Sequence, residues 1–194
     1  MRKHIFEPRQ STDPTMWYWW QNGFNQEELD RVDQLVSTLP LVQASTLGGD
    51  TSDYRRSSVR WVPQNDESDW LYEKLINMAT EANNCLWNFD LVTATEDLQF
   101  TEYYATNNGH YDWHLDTGPD HLSIRKVSIT VQWSDPSEYE GGELELLRGR
   151  DPEIAPKGKG VVVMFPSYVM HRVTPVTKGT RKSFVLWLGG GHYR

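Results

Sequence analysis

Two textures of apolar and polar positions follow one another along the chain. In the first, apolar residues recur at helical spacing: Leu29, Val32, Leu35 and Val36 form one stripe. Asn25 stands before it with Glu28 three residues on, the spacing of a capping box, which predicts a helix from there to about Thr38, where Pro40 ends it. A second helix is expected from Ser68 or Asp69, with Trp70, Leu71, Leu75, Met78 and Ala82 on its buried face. Around these helices Met16–Trp20, Leu41–Leu47, Arg56–Val62 and Leu86–Val92 read as strands, and Gly48–Asp53 as a loop. Residues 1–16 are polar, carry Pro8 and Pro14, and read as an irregular lead-in.

From Leu98 the pattern changes to short strands divided by turns. Leu98–Tyr104, Val127–Trp133, Glu143–Leu147, Val161–Phe165, His171–Val176 and Arg181–Leu188 fit strands. Asn107-Asn108-Gly109, Asp135-Pro136, Gly141-Gly142, Lys157 to Gly160 and Lys178-Gly179 supply the turn signals between them. Many short strands with Gly and Pro turns predict a mainly β, α+β fold: a jelly roll (double-stranded β-helix) with the N-terminal helices packed on one sheet. One domain over 1–194 is expected, with 1–97 supporting a jelly-roll core at 98–190.

Composition narrows the function. With 194 residues, 38% of them hydrophobic and 24% charged, the chain suits one soluble globular domain. A net charge of −8 disfavours nucleic-acid binding, which needs a basic footprint. Two local basic groups exist, Arg55/Arg56/Arg60 and Arg125/Lys126, the first read as solvated strand edges. The one cysteine, Cys85, can form no internal disulfide and is expected to be buried and inert. Neither a signal peptide nor a membrane-spanning apolar run is seen, so a cytoplasmic protein without membrane contact is expected.

The chemistry concentrates in Gly109-His-Tyr-Asp-Trp-His-Leu-Asp-Thr117. His114 and Asp116 are two positions apart, so on an extended strand they project the same way. A third ligand is available in His171, which leaves the apolar strand Val161–Phe165 through a Pro166 turn. Two His and one carboxylate on one face of a metal, with open positions opposite, is the facial triad of non-haem Fe(II) oxygenases. His4, His110, His121 and His192 lack such partners and read as structural. On the final strand Arg181, Ser183, Val185 and Trp187 share one face and Phe184, Leu186 and Leu188 the other. If the apolar face packs on the helices, Arg181 points into the barrel, where a buried cation needs an anion. A dicarboxylic cosubstrate or a protein carboxylate could supply it.

Three segments carry a resemblance: FTEYYATNNGHYDWHLDT, VSITVQWSDPSEYEGGELEL and VVVMFPSYVMHRVTPVTKGTRKSFVLW. Over residues 98–188 the chain resembles the Fe(II)/2-oxoglutarate dioxygenases, and within them the prolyl 4-hydroxylase-like, PKHD-type branch. The resemblance implies that His114, Asp116 and His171 ligate Fe(II) and that Arg181 binds the distal carboxylate of 2-oxoglutarate. It implies that Tyr104, ten positions before His114, hydrogen-bonds the same cosubstrate, with Ser183 and Trp187 lining its pocket. Gln132 and Thr130 are wall candidates, Tyr111 and Trp113 candidates for substrate contact, and Gly141 and Gly142 structural turn residues. The implied reaction uses O2 and 2-oxoglutarate to hydroxylate a C–H bond, releasing succinate and CO2; ascorbate is a further cofactor to test. The expected substrate is an amino-acid side chain, first of all prolyl, in a peptide, a protein or a free amino acid. Two alternatives stay open: a nucleic-acid demethylase of the same superfamily, which resembles a pattern with a second Arg where Trp187 stands, and a non-catalytic jelly-roll binding module. Asp116 speaks against a halogenase, which needs that position vacated for halide. Substrate identity and oligomeric state are not read from the sequence.

Overall fold

The structure, a computed structural model, describes residues 16–44 and 53–192. The expected lead-in, the end of the Leu41–Leu47 strand and most of the Gly48–Asp53 loop lie outside them. The chain order begins with β1 (Tyr18–Trp20), α1 (Gln26–Ser37), β2 (Val42–Gln43), β3 (Arg55–Arg56), β4 (Ser58–Val62) and α2 (Asp69–Leu86). Next come β5 (Thr93–Ala94), β6 (Leu98–Tyr104), β7 (His110–His114), β8 (Arg125–Gln132) and β9 (Tyr139–Gly141). β10 (Leu144–Arg148), β11 (Asp151–Ile154), β12 (Val162–Pro166), β13 (His171–Val173) and β14 (Val176–Gly189) complete it. All strand pairs are antiparallel among the described residues. They form one sheet in the order β1-β12-β8-β14-β6-β4-β2, with β5 and β9 also on β14, and a second in the order β11-β10-β13-β7-β3. The two sheets make the expected jelly roll.

Strand alternation decides what faces the helices. On β6, β8, β12 and β14 the residues Leu98, Phe100, Val127, Ile129, Val131, Val162, Met164, Phe184, Leu186 and Leu188 point to α1 and α2 and form the main core with them. The opposite face of the same strands looks between the sheets. There Val161, Val163 and Phe165 join Leu144, Leu146 and Val169 in a second core. The rest of that face is the wall of a cavity.

The helices sit as their sequence dictates. Asn25 Oδ1 accepts from the Glu28 N–H (3.0 Å) and Glu28 Oε2 accepts from the Asn25 N–H (2.9 Å), the reciprocal capping box. On α2 the buried face is Leu71, Tyr72, Leu75, Ala79, Ala82 and Asn83, while Trp70 and Met78 are only half-buried. Tyr72 was not expected there. Its hydroxyl donates to Val62 O and accepts from the Leu98 N–H, both at 2.6 Å, which ties α2 to β4 and β6.

Four other expectations are corrected. Leu86–Val92 is not a strand: α2 runs through Leu86, Asn88 turns left-handed at φ 53°, and the Asn83 amide holds both the N–H and the C=O of Phe89. Cys85 is exposed, because it falls on the outer face of that last turn. Lys178-Gly179 is no turn either. β14 runs through it, first along β9 and then between β6 and β8. Gly179 is required there by φ 68° and by Glu138 O, which would lie 2.0 Å from a Cβ. The first basic group is not simply solvated: Arg56 pairs with Asp53 and Arg60 with Glu102, while in the second Arg125 pairs with Glu96 and Lys126 is buried. Among the described residues no helix is long and apolar enough to cross a membrane.

Candidate metal centre and its cavity

A cavity of about 540 Å³ opens between the sheets. At its floor His114, Asp116 and His171 bring one ligand atom each to within 4.8 Å of one another. His114 ends β7 and His171 begins β13, directly paired across the second sheet. The strand does not continue to Asp116. That residue lies in the bend beyond β7, held by its own N–H and that of Thr117 donating to Ser167 O (2.9 and 3.1 Å).

The protonation pattern is built in. His114 Nδ1 lies 2.7 Å from Asp112 O and His171 Nδ1 2.9 Å from Val169 O, contacts that place the proton on Nδ1 and leave Nε2 with its lone pair. Both Nε2 atoms face Asp116, at 3.7 Å from Oδ1 and 3.6 Å from Oδ2. Two ligand atoms on one ion with bonds near 2.1 Å can stand up to about 4.2 Å apart, so each imidazole is within that reach of the carboxylate. Burial, with His171 beside it, pushes His114 down to about 3, so its imidazole is neutral and able to ligate at ordinary pH. Burial alone would raise the Asp116 pKa, but the two imidazoles and the Ser128 hydroxyl outweigh it and hold the carboxylate ionised. Ser128 Oγ donates to Asp116 Oδ2 at 2.6 Å and lies 3.0 Å from Ser167 Oγ. The Trp187 indole N–H faces Asp116 at longer range and has no hydrogen bond among the described residues.

A bulge sets the wall beside the centre. His171 pairs with His114 but Val173 with Tyr111, so Asp112 and Trp113 together oppose Arg172. The extra residue brings Tyr111 to the face of His114, and the two rings stack at 3.5 Å and 15°. Trp113 turns away and lies under Arg172.

Arg181 is the second pole of the cavity. Its side chain is 1% exposed, yet its hydrogen-bond partners are the neutral Ser183 Oγ (3.1 Å) and Gln132 Oε1 (2.9 Å), with the Tyr103 ring 5.3 Å from its Cζ. Its Nε and the Gln132 amide nitrogen have no partner. Among the described residues no carboxylate neutralises this cation, a state that an anionic ligand would relieve. Gly142 makes room for it: at φ 62°, a Cβ there would stand 2.8 Å from Arg181 Cδ.

Thr130, Ser183, Val185 and Trp187 line the cavity as alternation requires. Tyr104 does not. It shares the parity of Phe100 and Glu102, points to the helix side, and donates its hydroxyl to Glu102 at 2.7 Å. Burial and that carboxylate push it up to about 12. Tyr103, paired with Arg181, takes the cavity position instead. Sequence reasoning missed Tyr103, Ser128, Ser167 and Arg55, and read His121 as structural although it lines the cavity mouth. The register of β6 with β14 and the pairing of β3 with β7 are what bring the first and the fourth there.

A jelly roll with two imidazoles, one carboxylate and an arginine lacking a carboxylate partner in one cavity has the donor set that a non-haem iron oxygenase needs. Residues 98–189 match the family model of the 2OG-Fe(II) oxygenase superfamily. A PKHD-type hydroxylase of Teredinibacter turnerae is 38% identical over 87 residues, 42% of this chain and 38% of that protein. One from Synechococcus sp. is 29% identical over 151 residues, 77% of this chain and 67% of that protein. The chain spans about two fifths of the length of the first curated relatives it matches. Among solved structures, a prolyl hydroxylase from Trichoplax adhaerens in complex with a hypoxia-inducible-factor oxygen degradation domain peptide fragment superposes with a TM-score of 0.76. It is 16% identical, over 90% of this chain and 83% of that one. A Pseudomonas putida prolyl-4-hydroxylase follows at TM-score 0.69 and 19% identity, over 90% and 93%. At those identities the likeness is one of fold. The likeness to the 2OG-Fe(II) oxygenase superfamily is carried by the segment from β6 to β14.

Proposed function

We propose that the chain forms one oxygenase domain that hydroxylates a C–H bond of an amino-acid side chain, first of all a prolyl residue in a peptide or protein. The carrying observation is the pairing, in one cavity, of the His114/Asp116/His171 cluster with a buried guanidinium that lacks a carboxylate. In this reading His114, Asp116 and His171 hold Fe(II), and Arg181 takes the distal carboxylate of 2-oxoglutarate in a bidentate grip. Ser183 and Gln132 orient the guanidinium, Tyr103 replaces Tyr104 beside the cosubstrate, and Thr130 and Trp187 wall it in. Bound Fe(II) and 2-oxoglutarate would supply the oxidising power from O2, with loss of CO2 and formation of succinate.

The chain's own groups do the rest. The Nδ1 contacts keep both Nε2 atoms available, Ser128 keeps Asp116 charged and aimed, and the apolar side chains behind them exclude water. Peptide substrates are supported by the Trichoplax adhaerens relative, which was solved with a peptide fragment. The test is anaerobic titration of the Fe(II)-loaded protein with 2-oxoglutarate, watching for the visible charge-transfer band of a chelated 2-oxo acid. The band is expected in wild type and lost in His171→Ala. Its absence from wild type with iron bound would refute the reading.

A further inference from the structure

The cavity is cationic in a chain whose net charge is −8. Among the described residues that line it, the charged groups are Arg55, Arg125, Arg181 and Asp116. Arg125 is neutralised by Glu96, whose Oε1 lies 2.6 Å from its Nη2. On the oxygenase reading above, Asp116 and one carboxylate of 2-oxoglutarate balance Fe(II), and the other carboxylate balances Arg181. Among the described residues one cation is left over, Arg55.

Arg55 is held as a recognition group is held. Its Nε–H donates to Ser57 Oγ (2.9 Å) and an Nη2 hydrogen to Gln99 Oε1 (2.8 Å). Both partners are neutral and buried, at 1% and 5% exposure, and Thr101 Oγ1 braces the Gln99 oxygen from below at 3.2 Å. Three of its five N–H groups remain unengaged. Its neighbours differ: Arg56 finds Asp53 and Arg60 finds Glu102.

Its position relative to the metal centre is also fixed. β3 pairs with β7 so that Arg55 is opposite Tyr111. The guanidinium lies 4.7 Å from the Tyr111 ring, and that ring lies 3.5 Å from the ring of His114. The cation therefore stands one aromatic ring beyond a metal-ligand candidate. Tyr54, edge-on to Tyr111 at 5.6 Å, and Trp61 flank it on the cavity rim.

We propose that Arg55 is a specificity-determining residue that takes a carboxylate of the substrate lying close to the carbon to be hydroxylated. That group is either the α-carboxylate of a free amino acid or an acidic side chain next to the target residue in a peptide. The inference rests on the oxygenase reading, because the charge balance assigns Arg181 to the cosubstrate.

The test is a binding titration read by intrinsic fluorescence, which Trp61 and Trp187 in the cavity wall supply. The probes are the L-amino acids, proline included, against their amides, and a blocked proline–aspartate dipeptide against its proline–asparagine counterpart. Each is run on protein alone and on protein with Fe(II) and 2-oxoglutarate under argon. At least one acid is expected to bind about tenfold or more tightly than its amide, the scale of a charge-assisted hydrogen-bond pair. Arg55→Gln should erase that preference, Arg55→Lys should keep part of it, and the 2-oxoglutarate band should persist in both. Which pair discriminates tells the free amino acid from the peptide. Equal binding of acids and amides, a preference that survives in Arg55→Gln, or no acid bound at millimolar concentration would each overturn the assignment. A wild type that prefers acids but shows no 2-oxoglutarate band would sink the oxygenase reading and leave Arg55 as a carboxylate site.

Discussion

Replacing Arg181 with Met separates a cosubstrate-binding cation from a structural one. A properly paired buried ion costs about 3–5 kcal/mol to break, whereas exchanging a poorly compensated one for an apolar chain of similar volume is often neutral or stabilising by about 1–4 kcal/mol. Arg181 has only neutral partners, Ser183 and Gln132, and an unsatisfied Nε. Removing it relieves the desolvation of a charge but strands two oxygen acceptors, each at a cost of about 1–3 kcal/mol. The two nearly cancel, so ligand-free Arg181→Met should lie within about 2 kcal/mol of wild type in a urea melt. With Fe(II) present under argon, 2-oxoglutarate at a hundred times its Kd should stabilise wild type by about 2.7 kcal/mol, a rise in Tm of roughly 5–10 °C. The variant should show none of that rise at the same concentration. A loss of 3 kcal/mol or more without ligand would mean that the guanidinium is a structural ion with an internal counter-charge, and the cosubstrate assignment would fail.

Three further outcomes follow from the packing. Ser128→Ala removes the 2.6 Å hydrogen bond to Asp116 and should weaken Fe(II) binding about 10–100-fold, read by metal competition, with little change in the apo melting curve. Phe184, 1% exposed and packed at 4.7 Å on Phe100 and 4.8 Å on Trp133, should cost about 3–5 kcal/mol as Phe184→Ala in a denaturant melt; a loss below 1 kcal/mol would contradict the described core. Glu143 is a pH-dependent clamp: burial would raise its pKa, but Lys157 and Thr174 donate to it and the balance is at about 2. Its folded pKa is below its unfolded one, so its stabilisation is complete above about pH 4.5 and fades as pH falls towards 2. Glu143→Gln should therefore cost about 1–2 kcal/mol at pH 7, discounted for partial solvent exposure, and progressively less between pH 4.5 and 3.

The unevenness of what could be read beforehand has a physical pattern. Local signals were reliable where the code is local. The Asn25/Glu28 box formed as spaced, and the two faces of β14 divided as alternation requires, with Phe184, Leu186 and Leu188 towards the helices and Arg181 towards the cavity. The errors lie where one residue of register or a non-local partner decides. Counting back from His114 selects Tyr104, but the pairing of β6 with β14 puts Tyr103 beside Arg181 and turns Tyr104 to Glu102. Leu86–Val92 has strand-like composition, but α2 is extended by its packing and ended by Asn88.

The amino-acid sequence by itself determined the two helices, the first with its cap, the run of alternating strands, and the identities of His114, Asp116, His171 and Arg181 as chemically matched groups, because spacing and side-chain type are local properties. The tertiary structure alone decided that these groups share one cavity, that a bulge in β7 stacks Tyr111 on His114, that Ser128 steadies Asp116, and that Arg55 reaches the same space. Each of those depends on which strands lie side by side and in what register, and pairing between residues dozens of positions apart leaves no periodic trace in either segment.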